Sequence, residues 1–235
     1  MDGPECLICG ESTHYDGMQH FRRTTRWFRC EICDFAQVDP MPSMEVLSDY
    51  YASGKYRREV LDTTDRAHVS SQTITAQDRD AIERRIGYWL PHIRDAERHL
   101  DIGSAWGRTL ERVAQHRQIG ESIGLEPGPW GESYGALKSI NQAKGTFDLI
   151  TCFHVLEHAP DPMEFLRQIQ PLATGQVCVA VPLPGSRYWP HVTDFSIRAL
   201  QKAMGLAGLP AKLVGMSAEL MALHDKELHT RKAST

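Results

Sequence analysis

Residues 100–107 read LDIGSAWG and join a short apolar run to a stretch with helical spacing. Gly103 and Gly107 bracket this turn, where glycine lets a ligand approach the backbone and lets the next helix pack closely on a sheet. The following apolar run ends at Glu126, near the roughly 20-residue spacing expected of an acid that binds ribose hydroxyls. The pattern predicts a nucleoside-containing cofactor. A purely structural glycine turn followed by a surface glutamate would give the same sequence pattern.

The residues of the turn narrow the choice of cofactor. Dinucleotide-binding folds need the pattern G-x-G-x-x-G, whereas this chain has Ala105 and Arg108 at the second and third glycine positions. A phosphate-binding P-loop needs Gly-Lys-Ser/Thr, which is also absent. The turn therefore favours neither a dinucleotide nor a nucleoside triphosphate.

Short apolar runs alternate with amphipathic stretches from residue 96 onward, which predicts an α/β fold with a doubly wound, mostly parallel sheet. The expected strands are 99–103, 122–126, 147–153, 177–181 and 211–215. The expected helices are 109–115, 162–169 and 195–204, after two earlier helices that start near residues 43 and 75. Residues 217–228 favour another helix, which would leave the last strand of the sheet missing.

Two Cys-x-x-Cys pairs lie within the first 40 residues, and 20 residues separate them. Two tight turns can direct four thiolates at one ion, giving a closed tetrahedral site with Zn–S distances of about 2.3 Å. Such a site leaves no open position for water, so a structural zinc is predicted. The predicted ligands are Cys6, Cys9, Cys30 and Cys33.

The composition describes a globular chain of 235 residues, with 41% hydrophobic and 24% charged residues. No apolar run reaches the roughly 20 residues that a membrane helix needs, and the N-terminus lacks the features of a signal peptide, so we expect a cytoplasmic protein. The formal net charge of −4 favours a small-molecule partner over nucleic acid. The arginines between residues 22 and 29 could still contact an anionic substrate.

Residues 147–158 read FDLITCFHVLEH, and this stretch resembles the fourth strand of class I S-adenosylmethionine-dependent methyltransferases. Residues 177–182 and 191–200 are similar to that family's fifth strand and to its later H-x-x-x-F-S…L segment. Residues 30–56 resemble the zinc-ribbon entry of a subgroup that includes sugar C-methyltransferases and enzymes of natural-product or polysaccharide clusters. The middle glycine of the family's first motif is replaced by Ala105.

This resemblance implies S-adenosylmethionine as cofactor and three regions: a zinc ribbon (1–42), a helical linker or lid (43–95) and a cofactor-binding methyltransferase domain (96–235). The turn would hold the methionine end, Glu126 the ribose and Pro127 the adenine, while Trp106 or Trp130 could cover the cofactor. The cofactor-binding residues implied are Asp101, Gly103, Ser104, Ala105, Gly107, Glu126, Pro127 and His154.

Three histidines are candidate general bases: His158, His191 and His154. A histidine pKa near 6.5 suits proton transfer at neutral pH, and ligands bind beyond the carboxyl ends of parallel strands. Each could instead be a structural histidine, and Glu157 could orient one of them.

The expected activity is methyl transfer to a small molecule, such as a sugar or a biosynthetic intermediate. An RNA methyltransferase is the first alternative, and a non-catalytic binding protein with the same fold is the second. Sugar C-methyltransferases carry a further large C-terminal domain, so the sequence does not specify the acceptor, the methylated atom or the oligomeric state.

Overall fold

The computed structural model describes residues 2–21, 23–53, 55, 76–215 and 219–226. The elements described before residue 56 are β1 (Asp2–Glu5), β2 (Ser12–Phe21), β3 (Arg23–Cys30), β4 (Ala36–Val38) and α1 (Met44–Ala52). The later ones are α2 (Ala76–Trp89), β5 (Ala96–Ile102), α3 (Arg108–His116), β6 (Ile119–Leu125), β7 (Phe147–Phe153), α4 (Pro162–Ile169), β8 (Ala173–Pro182), β9 (Thr193–Asp194), α5 (Ile197–Leu206), β10 (Ala211–Gly215) and β11 (Glu219–Asp225). The predicted start of the second helix at residue 75 lies outside the described residues.

Among the described strands, the smaller sheet has the order β1–β2–β3–β4–β9 and the larger has the order β10–β11–β8–β7–β5–β6. Strands β5 and β6 run parallel, and strands β10 and β11 run antiparallel. Helix α3 lies between β5 and β6, α4 between β7 and β8, and α5 between β9 and β10. This mixed α/β fold with a mostly parallel sheet confirms the fold class predicted from the sequence.

The chain divides into two compact units. Unit 1 comprises Met1–Met44, Cys152–Leu172 and Val177–Thr235, and unit 2 comprises Glu45–Thr151 and Ala173–Gln176.

Unit 2 contains the turn that follows the first strand of the larger sheet. The parallel register of β5 and β6 pairs Leu100 with Ile123 and Ile102 with Leu125. Because the strands end together, the glycine turn after Ile102 and the carboxylate of Glu126 leave the sheet at the same edge. Apolar side chains of this unit that are almost fully buried include Ile86, Leu100, Val113, Phe147, Leu149 and Ile150.

Unit 1 contains the smaller sheet and the later helices. The side chain of Asp161 accepts a hydrogen bond from the N–H of Glu164 at 2.8 Å, and Pro162 occupies the first helical position, so α4 begins as its sequence predicts. In the smaller sheet Trp27 and Phe35 are fully buried, and the rings of Phe35 and Phe195 are 5.0 Å apart. Aromatic side chains therefore form part of the core of unit 1.

The expected helix over residues 217–228 is wrong where the structure describes it. Residues Glu219–Asp225 form strand β11, which pairs antiparallel with β10 from Ala211 opposite His224 to Gly215 opposite Leu220. All seven residues of β11 are buried. Leu, Met, Ala and Glu favour helices, but burial and hairpin pairing override that preference here. The closing antiparallel hairpin is therefore present.

In the described part of the chain, the helices are too short or too polar to cross a membrane.

Candidate functional site

The glycine turn after β5 is held against the end of β6. The backbone N–H groups of Gly103 and Ser104 both donate to the carbonyl oxygen of Leu125, at 2.8 and 3.1 Å. Gly103 and Gly107 adopt φ values of 75° and 76°, and Ala105 has a φ of 44°. The turn therefore keeps a left-handed conformation at the position where the family's first motif has its middle glycine. An alanine there stores about 1 kcal/mol of backbone strain or more.

Glu126 joins the turn directly. Its buried carboxylate accepts the N–H of Ala105 at 3.0 Å through Oε2 and the N–H of Gly128 at 2.7 Å through Oε1. A carboxylate offers about four lone-pair sites, so this acceptor suits the paired hydroxyls of a ribose. Gly103 and Glu126 are far apart in the sequence, and in the structure the segments that contain them are joined by a hydrogen bond.

Two tryptophans lie beside this acceptor. The rings of Trp106 and Trp130 are 6.2 Å apart, and a Cβ atom at Gly128 would lie 2.4 Å from the Trp130 ring. The indole Nε1 of Trp130 is buried and has no hydrogen-bond partner among the described residues. A polar ligand could accept a hydrogen bond from this buried N–H, and its hydroxyls could donate to the carboxylate of Glu126. The residues of the turn therefore fit S-adenosylmethionine.

Tyr134 contacts the glycine turn, and the sequence did not predict this residue. Its hydroxyl donates to the carbonyl oxygen of Ala105 at 2.7 Å and lies 2.7 Å from the hydroxyl of Ser104. A Cβ atom at Gly107 would lie 3.2 Å from the tyrosine ring, so the glycine makes room for it. Burial raises the pKa of Tyr134. No periodic pattern marks this residue in the sequence.

Asp101 lies beneath the turn, at the end of β5. Burial, followed by the nearby charge of Glu126, raises the pKa of Asp101 to about 7, although the Thr151 hydroxyl that donates to Oδ1 at 2.6 Å opposes the shift. His99 Nε2 lies 2.8 Å from the same hydroxyl, and burial lowers the pKa of His99 to about 3. Asp101 is 3% exposed and Pro127 is exposed, so only the latter of these two predicted cofactor residues is open to solvent.

The three predicted histidines lie in unit 1, and the structure brings them together around Glu157. His154 directly follows β7 with a φ of 59°. Its Nδ1 is 3.3 Å from Oε1 of Glu157, and its Nε2 is 2.8 Å from Oε1 of Glu219. Burial alone would lower the pKa of His154, but the bonds and charges of the two carboxylates raise it to about 9. His154 is therefore charged at neutral pH.

His158 and His191 form the other half of this histidine cluster. Their rings are 4.8 Å apart in an edge-to-face arrangement. Nδ1 of His158 lies 3.2 Å from the carbonyl oxygen of Pro190, and Nδ1 of His191 lies 2.6 Å from that of Ser186. A carbonyl can only accept, so each Nδ1 donates and each Nε2 carries the lone pair. Burial lowers the pKa of both rings, that of His191 to about 4, so both are neutral.

Glu157 is 2% exposed, and its Oε1 is 3.9 Å from Nε2 of His158. Burial would raise the pKa of this carboxyl, but the contact with His154 and the nearby imidazoles lower it. Glu157 and His191 also line a small cavity together with Ser186 and Asp194. The cluster thus combines a buried anion, a charged histidine and two neutral histidines.

The four cysteines converge in the smaller sheet. Cys6 Sγ lies 3.5 Å from Cys33 Sγ, and Cys9 Sγ lies 3.5 Å from Cys30 Sγ and 3.6 Å from Cys33 Sγ. Tetrahedral zinc with Zn–S bonds of about 2.3 Å separates its sulfurs by about 3.8 Å, so this group fits the ion closely. The arrangement is consistent with a zinc ribbon.

Two of the arginines near this group, Arg26 and Arg29, are engaged with acids. Arg26 pairs with Asp39 at 3.6 Å, and Arg29 pairs with Asp16 at 2.7 Å and with Asp34 at 2.6 Å. These contacts reduce the charge that the segment could offer to a phosphate backbone. Arg22 lies outside the described residues.

A family described as a methyltransferase domain matches residues 74–210, which is more than half of the chain. The mostly parallel sheet, the glycine turn after β5 and the acid that follows β6 indicate the same class of enzyme. The chain belongs to this methyltransferase family, which confirms the expectation of an S-adenosylmethionine-dependent methyltransferase. No curated protein matches the chain.

Solved structures share the fold at low sequence identity. A 1,6-didemethyltoxoflavin-N1-methyltransferase from Burkholderia thailandensis, solved with its substrate and S-adenosylhomocysteine, is 16% identical with a TM-score of 0.56, covering 91% of this chain and 98% of that one. The magnesium protoporphyrin IX methyltransferase of Synechocystis PCC 6803 with bound SAH is 12% identical with a TM-score of 0.52, covering 78% and 99%. A Haloferax volcanii complex of the Trm112 activator and a methyltransferase gives 15% identity, a TM-score of 0.54 and coverage of 64% and 94%.

Proposed function

We propose that the chain transfers a methyl group from S-adenosylmethionine to a small-molecule acceptor. The observation that carries the proposal is the hydrogen bond between the N–H of Ala105 and Oε2 of Glu126, which joins the glycine turn to the acid at the end of β6. In this proposal the turn around Gly103 holds the methionine end and Glu126 binds the ribose hydroxyls. Trp130 adds a buried indole N–H that has no hydrogen-bond partner among the described residues.

The cofactor supplies an electrophilic methyl carbon on a sulfonium, and the chain must position the acceptor in line with it. An acceptor oxygen or nitrogen that takes the methyl group would release its proton, so the chain would need a base. We assign that role to the neutral pair His158 and His191, whose Nε2 atoms carry lone pairs. His154 is assigned less readily, because its raised pKa leaves it charged.

A small-molecule acceptor is favoured over RNA because Arg26 and Arg29 are paired with acids and the formal net charge is −4. The solved structures with a similar fold include a methyltransferase with bound 1,6-didemethyltoxoflavin. We further propose that Cys6, Cys9, Cys30 and Cys33 bind a structural zinc, because their sulfurs are spaced for it.

Calorimetry with S-adenosylhomocysteine tests the cofactor site. Glu126→Gln keeps the size of the side chain but replaces one of its two acceptor oxygens with the amide nitrogen Nε2, which would face a backbone N–H, so we expect at least tenfold weaker binding, a loss of about 1.4 kcal/mol. Glu121→Gln is the matched control, because Glu121 is an exposed residue of β6, the strand that precedes Glu126, and pairs with Arg98. Equal affinity of wild type and Glu126→Gln for S-adenosylhomocysteine would contradict the ribose contact. If wild type does not bind this ligand at millimolar concentration, a non-catalytic protein would be favoured.

A further inference from the structure

The smaller sheet ends in the segment that carries His191. Strand β4 pairs antiparallel with β9, with Gln37 opposite Thr193. The N–H of Val38 donates to the carbonyl oxygen of Val192 at 3.0 Å. The residues next to His191 are therefore a strand of the cysteine-bearing sheet.

Four charged residues extend this connection. Arg187 contacts Asp194 at 2.8 Å through Nε and Asp16 at 2.5 Å through a terminal nitrogen. Arg29 binds the same Oδ2 of Asp16 at 2.7 Å and lies 3.6 Å from Oδ2 of Asp194. The side chains of Arg187 and Asp194 are 10% and 4% exposed. Those of Arg29 and Asp16 are 23% and 29% exposed. Removing one partner of the buried Arg187–Asp194 pair leaves an uncompensated charge, so this pair strongly favours one arrangement.

The network reaches the histidine through the backbone. The N–H of Gly185 donates to Oδ1 of Asp194 at 3.1 Å, and the next residue, Ser186, offers its carbonyl oxygen to Nδ1 of His191 at 2.6 Å. The guanidinium of Arg187 also lies 5.0 Å from the centre of the buried Trp27 ring. The carbonyl oxygen of Ser186 sets the tautomer of His191. The residues on either side of it, Gly185 and Arg187, both bind Asp194.

We propose that Asp16 and Arg187 are positioning residues for His191, and that the cysteine-bearing sheet therefore belongs to the proton-transfer site. The inference rests on the proposed function only for the role of His191. Asp16 on β2 holds Arg187, Arg187 and Asp194 hold the turn at Gly185 and Ser186, and the Ser186 carbonyl keeps the proton on Nδ1. The Nε2 lone pair then stays available to accept a proton.

The experiment compares Asp16→Asn and Arg187→Gln with wild type by ¹⁵N NMR of the histidine side chains and by amide hydrogen exchange. Arg26→Gln is the matched control, because Arg26 forms a half-exposed ion pair with Asp39 on the same sheet. Wild type should show His191 with its proton on Nδ1. Both test variants should give a mixture of tautomers at His191 and exchange at 185–191 about tenfold faster or more, while the control matches wild type.

Unchanged His191 signals and exchange rates in folded Asp16→Asn would overturn the proposal. If Arg187→Gln does not fold, Arg187→Lys replaces it, because lysine keeps the charge without the two-pronged contact and should still disturb the tautomer. Removing bound metal from wild type with a chelator should also accelerate exchange at 185–191; protection that persists there would count against the proposal. Calorimetry with S-adenosylhomocysteine separates the proposed cofactor site from the proposed positioning of His191. Asp16→Asn should bind S-adenosylhomocysteine with the affinity of wild type.

Discussion

Replacing Asp101 by asparagine should change how the stability of the chain depends on pH. The folded chain holds a proton on this buried carboxyl up to about pH 7, whereas its usual pKa is 3.8. The stabilisation from that proton is complete below pH 3.8 and is lost as the pH rises to about 7. Asparagine carries no titrating proton, so the variant should lack this loss.

The size of the effect follows from the pKa. Each pKa unit corresponds to about 1.4 kcal/mol, so the wild type should lose up to about 2 kcal/mol between pH 5.5 and 8 through this residue alone. The measurement is the free energy of unfolding in urea at both pH values for wild type and Asp101→Asn. Comparing the pH-dependent changes cancels any constant cost of the new amide, and the variant should gain about 1–2 kcal/mol relative to wild type at the higher pH.

A second variant moves the pKa the other way. Thr151 donates the hydrogen bond that lowers the pKa of Asp101, so Thr151→Val should raise that pKa and extend the loss of stability above pH 7. Parallel pH profiles for wild type and Asp101→Asn would refute the reasoning, because they would mean that Asp101 titrates alike in the folded and unfolded chains.

Two further predictions concern the other sites. In an NMR titration of the three imidazoles His154 should show the highest pKa, near 9, and His191 the lowest, near 4; a His191 that is charged at pH 7 would remove it as the base. Metal analysis should find one zinc per chain, and Cys9→Ser should lower both the zinc content and the unfolding midpoint; full zinc occupancy in that variant would contradict the four-cysteine site.

The elements with a strong apolar pattern were predictable. Strand β7 has the bounds that the sequence indicates, because five of the seven residues in Phe147–Phe153 are apolar. Helix α4 also has the predicted bounds, because Pro162 marks its start. Strand β11 was not predictable, since its helix-favouring residues form a strand only because β10 pairs with them. Local preference is a weak guide wherever long-range pairing supplies the burial.

The candidate sites were predictable to different extents. The family resemblance and the spacing from Gly103 to Glu126 placed the turn and its acid, and the predicted histidines do lie together. Their assigned roles stay predictions. Neither Tyr134 nor the pairing of Arg187 with Asp16 follows from sequence, because each depends on a contact between segments that no local pattern connects.

The ion pair between His154 and Glu219 joins the residue after β7 to strand β11, which follows much later in the sequence. On a ribosome, His154 would emerge well before Glu219 has been synthesised. Until then the imidazole would have only the carboxylate of Glu157 beside it, so its affinity for a proton would be lower in the nascent chain. The charge state of the histidine cluster is therefore settled only after β11 has been synthesised and has paired with β10.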